Sequence, residues 1–304
     1  MTNRRQFIRQ TALAGLGAGI GLQSLAATDA FKKSRVMGLQ LFTFFQGIDK
    51  DVAGTLQKIK AAGYTDIESA FSMKGGFYGM KATEFKKMLG DMGLRWVSHH
   101  ATGAPFNRPA NAKPPVDADG KPISIPPMLN LRDNYQQIID DVASAQLPYL
   151  VCASIPINTG DEVRKAVDIL ARSGEAAKKA GITFAYHNHD AEFKAVEGIV
   201  PYDYFLAQLP ADTVKMELDL AWCIKGGSDP VKLFSEHPGR FPLWHVKDLD
   251  KEGKVQPVGQ GTIDFKRIFS AARKSGMKHF FVEHDFPKDA EASIRESAAY
   301  IAKI

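Results

Sequence analysis

The nine residues ITFAYHNHD, at positions 182–190, join an apolar run to a polar ending. The run is rich in β-branched and aromatic side chains, a composition typical of a buried β-strand. The ending supplies two histidines and an aspartate, groups that bind metals and transfer protons. The same pattern recurs at residues 214–220, 241–247 and 280–285. Four apolar strands that end in such groups predict one site at one end of a parallel barrel.

Short apolar runs alternate with amphipathic helical runs from residue 35 to the end of the chain. The first predicted strand spans residues 36–42, and the first predicted helix spans 51–62 and is followed by Gly63 as its C-terminal cap. Eight such strands and eight helices in strict alternation predict a single-domain (β/α)8 TIM barrel over residues 35–304. An open doubly wound sheet is disfavoured, because residues 41–45 lack the glycine-rich phosphate turn that follows its first strand.

The N-terminal residues 1–27 are predicted to form a twin-arginine export signal. Arg4 and Arg5 are followed by an apolar residue two positions on, and the glycine-rich apolar run at 11–22 is too short to span a bilayer. Small residues around Ala26 suit a signal peptidase. A retained amphipathic helix is disfavoured, because the polar residues form no ordered face. We therefore expect a periplasmic or secreted protein with no membrane attachment after signal removal.

Composition limits the partners of the mature chain. The formal charge of +5 includes three arginines of the predicted signal, so the body carries about +2. A charge this small predicts no nucleic-acid partner. Cys152 and Cys223 lie in apolar contexts, and two buried thiols are favoured over a disulfide. A proline- and glycine-rich insertion at 101–131 has no helical or strand period and predicts an active-site lid. It suits the interface of a homo-oligomer equally well.

Six of the eight histidines lie at the predicted strand ends or one residue beyond: His99, His100, His187, His189, His245 and His284. Residues two apart in a strand share a face, so three pairs of polar side chains are predicted to point towards the barrel axis. These pairs are His187 and His189, Glu217 and Asp219, and His245 and Lys247. Asp219, His245 and Glu283 make a mixed nitrogen and oxygen set suited to Mn²⁺, Co²⁺, Zn²⁺ or Mg²⁺.

The order of these residues resembles the xylose isomerase-like TIM barrel family, which includes sugar phosphate isomerases, epimerases and inosose dehydratases. Asp219 follows the sixth strand, His245 stands in WHVKD at 244–248, and Glu283 ends the eighth strand. The stretch GQGTIDF at 259–265 resembles the family's G-x-G-x-(I/V)-D-(F/W). The resemblance implies a metal held by Glu, Asp, His and Glu from the fifth to eighth strands.

His187 stands where the first of these glutamates is expected, so the implied metal ligands are His187, Asp219, His245 and Glu283. The resemblance also implies proton abstraction next to a carbonyl of a sugar or cyclitol, with a metal-stabilised enediolate. The epimerases use two glutamates that face each other, and His187 replaces one of them. Glu283, His189 and Lys247 are the predicted catalytic residues, with His99 as a further candidate for proton transfer.

Three residues are predicted to bind the carbohydrate substrate: Glu68, His99 and Trp222. Glu68 ends the second strand, where it can contact a sugar hydroxyl or orient a ligand histidine. The ring of Trp222 can stack on a sugar or pack in the core.

Four functions remain open, and a sugar isomerase or epimerase is the first. The histidine-rich ending also resembles the dehydratase branch, so a keto-sugar lyase or dehydratase is the second. A nuclease of the apurinic-endonuclease type needs more metal ligands and a basic groove that about +2 does not supply. A non-catalytic sugar-binding protein would be recognised by a site that holds no metal.

Overall fold

A computed structural model describes residues 36–105 and 128–304, which form a closed barrel of eight parallel strands. The strands, β1 to β8 in chain order, are Gly38–Gln40, Asp66–Ser69, Arg95–Thr102, Tyr149–Ser154, Thr183–His187, Val214–Asp219, Leu243–Val246 and His279–Val282. Each strand pairs with its neighbours in the chain, and β8 closes the barrel on β1. The predicted (β/α)8 barrel is confirmed.

Ten α-helices connect the strands in the described residues. They are α1 to α10, at Val52–Ala61, Ala82–Asp91, Leu131–Ser144, Gly160–Lys179, Pro201–Gln208, Leu220–Lys225, Pro230–Glu236, Phe265–Ser270, Ala272–Ser275 and Ala290–Ile301. The predicted one-to-one alternation is wrong after β6 and after β7, where two helices follow each strand. A two-stranded hairpin, Asp248–Leu249 with Val255–Gln256, also lies between β7 and β8.

Local sequence signals define the ends of the first helix. The side chain of Asp51 accepts a hydrogen bond of 2.8 Å from the backbone N–H of Gly54, which caps the N-terminus of α1. At the other end, Gly63 has a φ of +96°, a left-handed conformation that is strained for residues with a Cβ atom. The predicted bounds of α1 are therefore correct to within one residue.

Two strands differ from their predicted bounds. β1 ends at Gln40, because the side chain of Gln40 accepts the N–H of Phe42 and starts a 3₁₀ turn at Leu41–Phe44. The prediction that this strand runs on to residue 42 is wrong. β3 continues to Thr102, so His99 and His100 lie inside a strand and not beyond its end.

An apolar layer fills the barrel beneath the strand ends. Its buried residues are Val97, Val151, Ala185, Leu243 and Phe281. Three of them stand two positions before His187, His245 and Glu283, and so lie on the same strand faces as these polar residues. Polar side chains at the carboxyl ends of the strands therefore rest on a packed apolar floor.

Several expectations fall on residues that the structure does not describe. The predicted export signal at 1–27 and most of the predicted insertion at 101–131 lie outside the described ranges.

Cys152 and Cys223 are both buried free thiols. Among the described helices, none combines the length and the apolar character needed to cross a lipid bilayer.

Candidate active site

The upper level of the site is built from the ends of β6, β7 and β8. Lys247 Nζ lies 3.2 Å from Asp219 Oδ2 and 2.9 Å from both Glu283 Oε2 and Asp285 Oδ2. His245 Nδ1 lies 2.7 Å from Glu283 Oε2. Ligand atoms of Asp219, His245 and Glu283 all lie within 4.8 Å of one another. Three of the four predicted metal ligands therefore converge.

A lower level lies on the other side of the His245 ring. His245 Nε2 is 2.5 Å from Glu68 Oε2 and 3.2 Å from Glu217 Oε2. His100 Nε2 is 2.6 Å from Glu217 Oε2, and His187 Nδ1 is 3.4 Å from the same oxygen. His187, the fourth predicted ligand, thus belongs to a second group of possible ligands, together with His100, Glu217 and His245. The two groups share His245.

The four predicted ligand residues carry buried donor atoms that make no hydrogen bond within the described part of the chain. His187 Nδ1, Asp219 Oδ2, His245 Nδ1 and Glu283 Oε2 are all buried, and none has a hydrogen-bond partner of good geometry among the described residues. Buried polar atoms are rarely left in this state. Two imidazole nitrogens and two carboxylate oxygens suit a divalent cation such as Mn²⁺, Co²⁺, Zn²⁺ or Mg²⁺. The predicted ligand residues therefore have the chemistry that a divalent metal requires.

The electrostatics of the site also favour an added positive charge. Burial raises the pKa of the Glu217 carboxyl to about 7, although His245 opposes the shift. Burial likewise raises the pKa of Asp219 to about 6, with Lys247 opposing it. Burial alone lowers the pKa of His245, but the surrounding carboxylates, Glu217 foremost, raise it well above its ordinary value. A cation placed beside these carboxylates stabilises their ionised form.

A cavity of about 200 Å³ opens above the upper level. Its lining includes the three predicted catalytic residues, His189, Lys247 and Glu283, together with Asp285 and the rings of Phe42 and Phe71. Burial, reinforced by Lys247, lowers the pKa of His189 to about 4, so its imidazole is neutral near pH 7. The backbone N–H of His189 donates to Glu192 Oε2 at 3.1 Å, which fixes the loop after β5.

The three predicted substrate-binding residues take different places. Glu68 is fully buried beneath His245 and outside the cavity lining. His99 lies near Ser69, with 2.8 Å between Nδ1 and Oγ, and lines a different hollow. Trp222 borders another surface hollow, and its buried Nε1 has no hydrogen-bond partner among the described residues. None of the three lines the cavity above Glu283.

Sequence reasoning did not assign a role to His100 or Glu217. Strand alternation predicts that Glu217 shares the inward face of Asp219, but it does not show which of the two contacts the other site residues. His100 and His99 are adjacent, so only one of them can point into the barrel. The phase of β3 determines which one. This phase changes at Val97, where β3 has one more residue than β2 between the pairs Ile67–Trp96 and Glu68–Ser98, and the sequence carries no clear signal for that irregularity.

Hydrogen bonds join the two sequence motifs, WHVKD at 244–248 and GQGTIDF at 259–265. The Asp248 carboxylate accepts backbone N–H groups of Leu249, Gly259, Gly261 and Ile263, at 2.8 to 3.1 Å. A Cβ atom on Gly261 would lie 2.3 Å from Asp248 Oδ1. The neighbouring Lys247 contacts the carboxylates of Asp219, Glu283 and Asp285 instead.

The family described as xylose isomerase-like TIM barrel matches residues 56–304 of this chain. The chain belongs to this family. A sugar phosphate isomerase/epimerase from Parabacteroides distasonis is 30% identical, with a TM-score of 0.73 over 89% of this chain and 99% of that one. An L-ribulose 3-epimerase shares the fold at 15% identity, with a TM-score of 0.64 over 89% of this chain and 94% of that one.

Curated relatives match a smaller part of this xylose isomerase-like chain. An inosose dehydratase from Lacticaseibacillus casei is 26% identical over 161 residues, which cover 47% of this chain and 53% of the relative. An inosose dehydratase from Geobacillus thermodenitrificans is 25% identical over 145 residues, 42% of this chain and 48% of the relative. The chain thus spans about half the length of the curated relatives it matches.

Proposed function

We propose that this protein is a metal-dependent enzyme that removes a proton next to a carbonyl of a sugar or cyclitol, and that it acts as an isomerase or epimerase. Four buried donor atoms support the proposal. His187 Nδ1, Asp219 Oδ2, His245 Nδ1 and Glu283 Oε2 make no hydrogen bond among the described residues, although the two carboxylate oxygens form ion pairs with Lys247. They lie beside a cavity lined by proton-transfer groups. A divalent cation held by these residues supplies Lewis-acid stabilisation of negative charge on the carbonyl oxygen.

His189 and Glu283 are the residues best placed to move protons. Both line the cavity, one just after β5 and the other just after β8, with β6 and β7 between these strands in the barrel. A substrate carbon between them is open to both side chains. One group takes the proton from the carbon and leaves the electron pair in an enediolate. When the same group returns the proton to the neighbouring carbon, and a proton passes between the two enediolate oxygens, the result is an isomerisation. Inversion of the centre instead requires the second group to deliver a proton to the opposite face. That group must begin the cycle protonated, and exchange with solvent restores both groups afterwards.

Lys247 is assigned a positioning role in this mechanism. Its ammonium group is 1% exposed and contacts three carboxylates, on Asp219, Glu283 and Asp285. The three contacts are buried ion pairs that do not meet hydrogen-bond geometry. Lys247 therefore holds Glu283 and Asp285 in place at the cavity wall and keeps Glu283 ionised.

Dehydration of a keto-sugar or inosose is the second candidate. It begins with the same proton removal, after which a hydroxyl on the next carbon leaves as water. Two observations favour it: the curated relatives are inosose dehydratases, and His187 stands where the resemblance implies a glutamate. The facing pair of glutamates implied for the epimerases is therefore incomplete here.

Metal analysis and solvent exchange test the proposal. The purified protein is analysed for bound metal and incubated in D₂O with a panel of ketoses and inososes, and the products are followed by NMR. Deuterium uptake with an isomeric product supports the isomerase, and an elimination product supports the dehydratase. A metal-loaded protein that catalyses neither exchange nor elimination contradicts both. Asp219→Asn is the matched inactive control.

Export by the twin-arginine route is a separate proposal that rests on Arg4, Arg5 and the apolar run after them. It places the enzyme in the periplasm, which favours a substrate without phosphate. Cell fractionation tests it with an Arg4→Lys/Arg5→Lys variant. Unchanged export of this variant would contradict the proposal.

A further inference from the structure

Four phenylalanine rings form one cluster next to the cavity: Phe42 and Phe71 line it, whereas Phe45 and Phe286 contact Phe42 outside the lining, and Phe286 also borders the hollow next to Trp222. Phe42 and Phe45 follow β1, Phe71 follows β2, and Phe286 follows β8. The Phe42 and Phe45 rings stack at a centroid distance of 5.2 Å and an angle of 26°. Phe286 stands nearly perpendicular to both, at 73° to Phe42 and 83° to Phe45. We call this group the aromatic corner, since its rings form two walls that meet almost at a right angle.

One ring of the aromatic corner is exposed, and the other three are half-buried. Phe286 is 56% exposed, the largest exposed fraction among the large apolar side chains of the described residues. Its backbone has a φ of +51°, in the left-handed region that a bulky residue rarely adopts. Such strain persists only where the surroundings enforce it, and it is common at binding sites. Asp285, the preceding residue, is held here by Lys247 at 2.9 Å.

The aromatic corner is continuous with the candidate active site. Phe42 and Phe71 line the same cavity as His189, Lys247 and Glu283. A ligand in the cavity therefore meets charged and imidazole groups on one side and phenyl rings on the other. The four phenyl side chains provide no hydrogen-bond donor or acceptor. A second sugar unit placed there would lose hydrogen bonds to its hydroxyl groups, whereas an apolar ring would lose none.

We infer that the aromatic corner is a subsite for an aromatic substituent on the carbohydrate substrate, such as the aglycone of a phenolic glycoside. The inference rests on the proposed function, because it places the substituent beside the carbohydrate that reacts. A planar ring in the cavity can pack stacked or edge to face against Phe42 and Phe71, which line it, and both are preferred geometries of aromatic pairs. The substrate class is then an aryl keto-glycoside and not a free monosaccharide.

Binding of simple glycosides tests the subsite without turnover. The phenyl and methyl β-glycosides of glucose, galactose and xylose are titrated calorimetrically into the metal-loaded, full-length protein. Phenyl glycosides are expected to bind about 10-fold more tightly than their methyl counterparts. Phe286→Ala and Phe45→Ala should remove this preference. Ile224→Ala is the matched control, since Ile224 is another exposed apolar residue, 36% exposed, and is not part of the aromatic corner.

The outcomes separate the subsite from the proposed reaction. Equal affinity for phenyl and methyl glycosides, or a phenyl preference that survives both phenylalanine substitutions, overturns the subsite. Circular dichroism of each variant shows whether it is folded, and the conservative Phe286→Leu keeps the test valid if Phe286→Ala unfolds. If no keto-sugar exchanges deuterium but the phenyl preference persists, the reaction is wrong and the subsite stands. If exchange occurs without a phenyl preference, the reaction stands and the subsite is wrong.

Discussion

Substitution of Glu68 by Gln tests whether Glu68 orients His245, a candidate metal ligand. Glu68 Oε2 lies 2.5 Å from His245 Nε2 and accepts a hydrogen bond of 2.8 Å from Gln40 Nε2. Both Glu68 and His245 are fully buried. With a metal bound, the carboxylate would keep the proton on His245 Nε2 and leave Nδ1, which faces Asp219 and Glu283, as the ligand atom. Outer partners of this kind raise the basicity of the metal-binding nitrogen and fix the orientation of its ring.

The loss of this contact should weaken metal binding about 10- to 100-fold. That corresponds to about 1.4 to 2.7 kcal/mol of binding free energy. Metal-free Glu68→Gln should unfold at the same temperature as the metal-free parent or higher, because burial and the neighbouring Glu217 both raise the pKa of Glu68. A neutral amide removes that unfavourable charge. The stabilisation that added metal confers should fall by the lost binding energy, roughly 3 to 10 °C in melting temperature.

Thermal melts with and without Zn²⁺ or Mn²⁺, together with a competition titration against a chelator, measure both quantities. Glu236→Gln is the matched control, since Glu236 makes a surface ion pair of 3.7 Å with Lys232. An unchanged metal affinity in Glu68→Gln would refute the role assigned to Glu68. A large loss of stability in the metal-free variant would show that Glu68 mainly holds the barrel together.

Three further substitutions test the rest of the site. Asp219→Asn should lose bound metal and lower kcat/KM by on the order of 100-fold or more, and full activity with bound metal would contradict its role as a ligand. Lys247→Met should destabilise the metal-free protein by about 3 to 5 kcal/mol in urea unfolding, because three carboxylates lose their ammonium partner. Gly261→Ala places a Cβ 2.3 Å from Asp248 Oδ1 and should cost about 1 to 3 kcal/mol. Gly47→Ala, with nothing within 4 Å, should be neutral in the same assay.

The sequence predicted the barrel and much of the site because both depend on local periodicity. Apolar strands alternate with amphipathic helices, and polar residues two apart at strand ends share a face. Glu217 with Asp219, and His245 with Lys247, are all buried within the barrel end, as this alternation requires. A single strand with its polar ending is therefore enough to predict which residues meet at the axis.

The sequence could not predict contacts that depend on tertiary distance. Glu68 and His245 are 177 residues apart, and neither strand shows that one side chain lies beneath the other. The choice between His99 and His100 depends on the phase of β3, where the register with β2 shifts between Trp96 and Ser98. The 3₁₀ turn after β1 depends on a side chain of Gln40 that competes for a backbone N–H.

The residues of the site differ in which part of the barrel positions them. The apolar floor, the carboxylate and imidazole level and the cavity residues lie on strands or within a few residues of their ends, so the barrel geometry holds them rigidly. The aromatic corner lies on the loops after β1, β2 and β8, where a change of residue does not disturb the barrel. Chemistry and specificity are therefore separable here: substitutions of the corner should change which substituent is accepted, while those of Asp219 or Glu283 should abolish reaction with every substrate.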